Sequence, residues 1–74
     1  MRVLIVEDEP SFVEALRIAL EREGYDVEAT VDGRQGLDAF RRVRPDVVLL
    51  DLMLPGLPGL DVLRAIRLDS AVPV

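Results

Sequence analysis

The sequence contains no cysteine, histidine or lysine, and each absence removes a class of chemistry. Without cysteine the chain has no disulfides and no thiolate metal ligands, which is typical of proteins in a reducing cytoplasm. Without histidine it offers no imidazole as a base, as a metal ligand or as a phosphate carrier. Any bound metal is therefore expected to be a hard cation that is held by oxygen ligands.

Aromatic residues and long apolar runs are also scarce. The chain has three aromatic residues, and its longest apolar runs are far shorter than the ~20 residues that cross a membrane. All nine basic residues are arginines and the net charge is −5, so these residues offer no basic surface suited to nucleic acid. Half of the residues are apolar and 31% are charged, which predicts one small globular domain over residues 1–74.

Three segments have the composition of β-strands. Residues 2–6 and 46–50 are largely apolar without alternation, which predicts strands that are buried on both faces of a parallel sheet. Residues 25–30 alternate weakly and are typical of an edge strand. The segment 46–50 is the most hydrophobic, so we expect it in a central position between two neighbours. Residues 72–74 are expected to begin a fourth strand.

Helical periodicity fills the intervals between these strands. The first apolar stripe has helical spacing and consists of Phe12, Ala15, Leu16, Ala19 and Leu20. Pro10 suits the first turn of this helix and Gly24 its end. Asp32 can cap a second helix that Pro45 ends, and a third helix follows the loop 52–60. The inward faces of these two helices are predicted to carry Leu37, Phe40, Val43, Val62, Leu63 and Ile66.

Three acidic residues follow two of the predicted strands. Glu7 and Asp8 come after the first strand and Asp51 after the third; if these strands are neighbours, they lie about 4.8 Å apart. Close carboxylates repel each other unless they share a cation, and Mg²⁺ is the natural candidate for oxygen ligands. A carboxylate beside Mg²⁺ is also a competent nucleophile toward phosphorus, which would give an acyl phosphate.

Other polar residues have simpler structural interpretations. Asp32, Asp46 and Asp61 stand at the starts of elements, where carboxylates favour helix caps or turns. A small basic cluster near the end of the second helix is interpreted as a solvated face and consists of Arg41, Arg42 and Arg44. In the loop after the third strand, Leu54 and Leu57 are expected to anchor the loop in the core.

Two motifs carry a resemblance to a known family. VLIVEDE and VVLLDLMLPGLPG resemble the first and third strand signatures of the CheY-like response-regulator receiver domain, closest to the OmpR/PhoB group of two-component transcriptional regulators. The resemblance implies an α/β fold, a flavodoxin-like parallel sheet flanked by helices with strand order 2-1-3-4-5. It also implies that the sequence is the N-terminal part of such a domain, truncated after the third helix and the start of the fourth strand.

The resemblance assigns roles to individual residues. Asp51 would be the phospho-acceptor, Asp8 a direct Mg²⁺ ligand and Glu7 a water-mediated one. The main-chain carbonyl of Met53 would be another ligand, in a loop shaped by Pro55 and Gly56. The family's later residues, a Ser or Thr after the fourth strand and a Lys after the fifth, are not in this sequence.

The resemblance also implies a partner and an output. A sensor histidine kinase would donate the phosphoryl group, so the domain would be a switch rather than an enzyme. The output would be transcription regulation in the cytoplasm, with DNA bound only through an effector domain that is absent from these residues. An edge of the third strand without an outer neighbour would expose unpaired main-chain groups, so we expect a homodimer or higher oligomer in which a second copy covers this edge or residues 72–74.

Two other functions are compatible with part of the pattern. A Mg²⁺-dependent phosphatase of the haloacid-dehalogenase type also uses an aspartate nucleophile after a strand. That family has a second aspartate two positions later, whereas this sequence has Met53 there. A nucleotide or flavin binder would need a glycine-rich turn after the first strand, whereas this sequence has acidic residues and Pro10. The phosphatase therefore remains the alternative.

Overall fold

The structure, a computed structural model, describes residues 1–54 and 57–74 and contains a parallel sheet with helices on both faces. Strands and helices alternate along the chain. The strands are β1 (Arg2–Val6), β2 (Asp26–Thr30) and β3 (Val47–Leu50), and the helices are α1 (Pro10–Arg22), α2 (Gly33–Val43) and α3 (Gly59–Asp69). The predicted α/β class with a parallel sheet is confirmed. Pro55 and Gly56, which were expected to shape the loop after β3, lie outside the described residues.

The sheet has the strand order β2-β1-β3, and all pairs are parallel. β1 is the central strand, since Ile5 pairs with Ala29 on one side and with Leu49 on the other. This order agrees with the first three positions of the order 2-1-3-4-5. The weakly alternating strand β2 lies at an edge, as predicted from its composition.

The expectation that the most hydrophobic strand is central is wrong for β3. In the described part of the chain, β3 forms the other edge of the sheet, and Leu49 is 37% exposed. Residues 72–74 run beside it without forming a strand there. Their contact includes a hydrogen bond that the Val48 N–H donates to the Pro73 carbonyl at 2.9 Å. The hydrophobicity of β3 therefore exceeds what its position in this sheet buries.

The core lies on the face of the sheet that α2 and α3 cover. Its buried side chains come from β1, β3, α2 and α3. They are Leu4, Val6, Val48, Ala39, Phe40, Val62 and Ile66. Leu54 and Leu57 are half-buried against this cluster, which confirms the prediction that they anchor their loop. Burial of Val62 and Ile66 also fixes α3 against the sheet.

The apolar stripe of α1 is far more exposed than its spacing predicts. None of the residues of α1, all of which the structure describes, is buried, and Phe12 is 51% exposed. Because neighbouring residues of a strand face opposite sides, α1 lies over the face to which Ile5 points, with contacts mainly to β2. Since α1 is the only described helix on this face, its stripe borders an open groove instead of a second core.

The ends of α1 and α2 follow from local sequence. Asp32 caps α2 as predicted, since its carboxylate accepts a hydrogen bond from the Gln35 N–H at 2.8 Å. Gly24 ends α1 with a φ of 91°, a conformation that costs glycine little. The cap of α1 is Glu9, whose carboxylate accepts from the Ser11 N–H at 3.2 Å and from its hydroxyl at 2.7 Å. Sequence analysis had not assigned this role to Glu9.

The other two predicted caps act differently. Asp61 is not a cap: α3 begins at Gly59, after Pro58, so Asp61 falls in its first turn and pairs with exposed Arg64 at 3.4 Å. Asp46 instead ties β3 to β1, because its Oδ2 accepts a hydrogen bond from the Arg2 N–H at 2.7 Å.

In the part of the chain that is described, no helix is long and apolar enough to cross a membrane.

Candidate acidic metal site

The carboxyl ends of β1 and β3 bring three acidic residues together. Both strand ends are tied to a neighbour: the Asp51 N–H donates to the Val6 carbonyl at 3.0 Å, and the Glu7 N–H donates to the Thr30 carbonyl at 3.1 Å. One carboxylate oxygen each from Glu7, Asp8 and Asp51 lies within 4.8 Å of the other two. The strand pairing that sequence analysis assumed is therefore present, and it produces the expected cluster.

The carboxylate of Asp51 is oriented by its own loop. Its Oδ1 accepts a hydrogen bond from the Met53 N–H at 2.9 Å, the side-chain-to-backbone turn that aspartate favours. This hydrogen bond involves Oδ1, so Oδ2 is the carboxylate oxygen that the Met53 N–H does not engage. Met53 is 84% exposed, and the contact that it makes with Asp51 comes from its main-chain N–H.

Glu7 is held over the turn that follows β1. Its Oε1 accepts hydrogen bonds from the N–H groups of Asp8 and Glu9, each at 3.2 Å. Burial raises the pKa of Glu7 above its ordinary value, and the nearby charges of Asp51 and Asp8 raise it further, against the hydrogen bond from Glu9. Burial is the main cause of the raised pKa, and the neighbouring carboxylates add to it because like charges disfavour the ionised form.

The donor set fits a magnesium ion. It consists of carboxylate oxygens, and the sequence has no histidine or cysteine that would favour a softer metal. A divalent cation at this position would offset the charges of Asp51 and Asp8, which add to the effect of burial on the pKa of Glu7. The carbonyl of Met53 as a further ligand stays a prediction, as does water-mediated binding by Glu7.

An apolar groove of about 420 Å³ adjoins the acidic cluster. Glu7 and Asp51 line one end of it, and its apolar walls come from α1, β1, β3 and the last residue, with Ile5, Phe12, Leu16, Leu49, Leu50 and Val74 among them. Sequence analysis did not identify this groove. The signal that could have found it was the apolar stripe of α1, which has more apolar side chains than β2 can cover.

Comparison with known proteins gives one family. The model of the response regulator receiver domain matches residues 3–74. The DNA-binding response regulator MtrA of Mycolicibacterium smegmatis is 55% identical over 73 residues, which is 99% of this chain and 32% of that protein. The transcriptional regulatory protein CseB of Streptomyces coelicolor is 54% identical over 72 residues, 97% of this chain and 31% of that protein. The chain thus spans less than a third of the length of these curated relatives.

Solved structures agree with this match. The BeF3-activated N-terminal receiver domain of Klebsiella pneumoniae RstA superimposes with a TM-score of 0.90 at 31% identity, covering 95% of this chain and 60% of that one. A chain from the complex of histidine kinase ThkA with response regulator protein TrrA gives a TM-score of 0.87 at 36% identity, covering 97% and 62%. These matches give no support to the haloacid-dehalogenase alternative. The fold, the acidic strand ends and the family match agree, and the chain belongs to the response regulator receiver domain family.

Proposed function

We propose that this domain is the phospho-accepting switch of a two-component system, with Asp51 as the acceptor. The observation that carries the proposal is the cluster of three carboxylates within 4.8 Å at the carboxyl ends of β1 and β3. A sensor histidine kinase is the proposed donor, since similarity to a chain from a complex of a histidine kinase with a response regulator supports such a partner. The sequence has no histidine of its own to carry the phosphoryl group.

The proposed step is a displacement at phosphorus by the Asp51 carboxylate. Its Oδ1 is engaged by the Met53 N–H, so Oδ2 forms the new O–P bond while the P–N bond of the donor phosphohistidine breaks. The imidazole leaves as the neutral donor side chain after it takes up a proton. The product is an acyl phosphate on Asp51, and because the acceptor is itself modified, the domain is a switch rather than an enzyme.

The proposed Mg²⁺ ligands are Asp8, Asp51 and the Met53 carbonyl, with Glu7 binding through water. When bound, the ion supplies charge neutralisation and orientation for the incoming phosphoryl group. The negative charges of Asp8 and Glu7 add to that of Asp51, so the site would need the cation as a counter-charge. The three carboxylates would otherwise repel a phosphoryl group, so phosphorylation is expected to depend on the metal.

The proposed output is regulation of transcription in the cytoplasm. The curated relatives MtrA and CseB are a DNA-binding response regulator and a transcriptional regulatory protein, which supports this output. With a net charge of −5, these 74 residues are poor ligands for DNA, so contact is proposed through an effector domain outside them. A homodimer or higher oligomer, in which a second copy covers the edge of β3 or residues 72–74 beside it, completes the proposal.

Metal binding gives a direct test of the proposed site. A calorimetric titration with Mg²⁺ should show one weak site in the wild-type chain, and Asp51→Asn should lower the affinity about tenfold or more, as loss of a charged ligand does. Asp38→Asn is the matched control, because it removes one exposed carboxylate from α2. Equal affinity in wild type and Asp51→Asn would contradict the assignment of Asp51.

A further inference from the structure

The helices α2 and α3 both begin with a glycine, and backbone atoms of the loop that joins β3 to α3 lie against both glycines. Gly33 is the first residue of α2 and Gly59 the first residue of α3. A Cβ added at Gly33 would overlap the carbonyl oxygen of Leu57 and lie 2.8 Å from its carbonyl carbon. The far end of the loop therefore lies against the start of α2.

The contact at Gly59 involves the beginning of the same loop. A Cβ added there would overlap the carbonyl oxygen of Asp51 and lie 2.5 Å from the Cα and 3.0 Å from the carbonyl carbon of Leu52. All three atoms belong to main chain, which cannot rotate away as a flexible side chain can. Gly59 is itself buried, so no solvent space receives the added carbon.

Space alone requires glycine at this position. Gly59 has helical conformation rather than the positive φ that only glycine adopts easily, and Gly24 is the positive-φ glycine of the described residues. Alanine in a helix is normally more favourable than glycine by about 1 kcal/mol. At Gly59 the backbone conformation does not require glycine, whereas the main-chain atoms of Asp51 and Leu52 leave no room for a Cβ.

The loop is the side of this contact that can move. Val62 and Ile66 are fully buried and hold α3 against the sheet, whereas Leu52 is 57% exposed and Met53 is 84% exposed. A side chain at position 59 would therefore push the Asp51–Leu52 peptide outward and leave α3 nearly in place. That movement would carry the Asp51 carboxylate, and the Met53 N–H that is bonded to it, away from Glu7 and Asp8.

We propose that Gly59 is a positioning residue for the acidic site. Its missing side chain lets the Asp51–Leu52 peptide lie on the first turn of α3, which sets the distance of the Asp51 carboxylate from Glu7 and Asp8. The inference rests on the proposed function, in which these carboxylates hold Mg²⁺. Metal sites need ligands placed to within about 0.2 Å, so a displacement of this kind weakens binding even in a folded chain.

The test compares two glycine variants by Mg²⁺ titration followed through the amide resonances of Asp8 and Met53. Gly59→Ala should weaken Mg²⁺ binding about tenfold or more, as changes behind metal ligands do, and should shift the Met53 resonance before metal is added. Gly24→Ala is the matched control. It introduces strain at a φ of 91° far from the site, so it should lower the melting temperature without changing the Mg²⁺ affinity.

The outcomes separate this inference from the proposed function. Wild-type affinity in Gly59→Ala would overturn the inference alone, whereas a wild-type chain that binds no Mg²⁺ would overturn both. Equal losses of affinity in Gly59→Ala and Gly24→Ala would assign the effect to stability and overturn the inference as well.

A measurement on the wild-type chain decides the case in which Gly59→Ala does not fold. The Gly59 amide resonance should move with the same Mg²⁺ midpoint as that of Met53, because Gly59 lies against the Asp51–Leu52 peptide and the Met53 N–H is bonded to the Asp51 carboxylate. A Gly59 resonance that stays fixed while that of Met53 titrates would overturn the inference.

Discussion

Glu7 is the residue of the acidic site whose pKa is raised. Its pKa is raised by burial and by the charges of Asp51 and Asp8, so the folded state holds this proton more tightly than the unfolded state. The folded form is therefore favoured below the ordinary pKa near 4.5, and that advantage is lost as the pH rises through the raised pKa. At neutral pH and without metal, the charged form of Glu7 destabilises the fold.

Replacing Glu7 by glutamine should remove this destabilisation. Glu7→Gln keeps the oxygen that accepts from Asp8 and Glu9, and removes a charge whose interaction with another carboxylate at about 4 Å is about 1 kcal/mol in water. Thermal melting without Mg²⁺ at neutral pH should show that the free energy of unfolding rises by up to about 1 kcal/mol. In acid, where Glu7 is protonated, this gain should disappear. Glu14→Gln, at an exposed position of α1, is the control. A lower melting temperature for Glu7→Gln at neutral pH would contradict this interpretation.

At the scale of elements, α2 shows how a side-chain cap fixes the start of a helix that packs against the loop after β3. Asp32 accepts from the Gln35 N–H at 2.8 Å and starts the helix whose first residue meets the loop at Leu57. Asp32→Ala should cost about 1 kcal/mol in the free energy of unfolding, and Asp32→Asn, which keeps an accepting oxygen, should cost less. Urea denaturation measures both. Equal losses in the two variants would show that the cap bond is not the cause.

The same element shows what sequence can predict. The periodicity of α2, its cap at Asp32 and its buried Phe40 follow from local rules, and so do the acidic residues at two strand ends. The exposure of Phe12 and the edge position of β3 do not, because they depend on which segments pack on each face of the sheet. The contact of Gly59 with Asp51 was also unpredictable, since it joins two backbones across a loop.

At the scale of the whole molecule, part of the exposed apolar surface lies around the groove beside α1. Phe12, Leu49 and Val74 are between 37% and 51% exposed and line the groove beside α1 and the edge of β3. Exposed strand edges with apolar neighbours are templates for pairing with another chain. The 74-residue chain is therefore expected to self-associate through this surface.

Analytical ultracentrifugation at micromolar concentration should detect this association. Phe12→Glu should shift the chain toward monomer, because it places a charge in the apolar groove. Leu68→Glu, at an 87% exposed position of α3, introduces the same change outside the groove and should leave the association unchanged. A wild-type chain that sediments as a compact monomer would contradict the predicted oligomer.

The identity of the phosphorylated side chain is the central claim, and mass spectrometry tests it most directly. The chain is incubated with acetyl phosphate, with and without Mg²⁺, and the modified residue is located by peptide fragmentation. One phosphoryl group on Asp51 that requires Mg²⁺ is the predicted result, with Asp38→Asn labelled like wild type and Asp51→Asn unlabelled. Label on Glu7, on Asp8 or elsewhere, label that forms equally without Mg²⁺, or a wild-type chain that takes no label would contradict the claim.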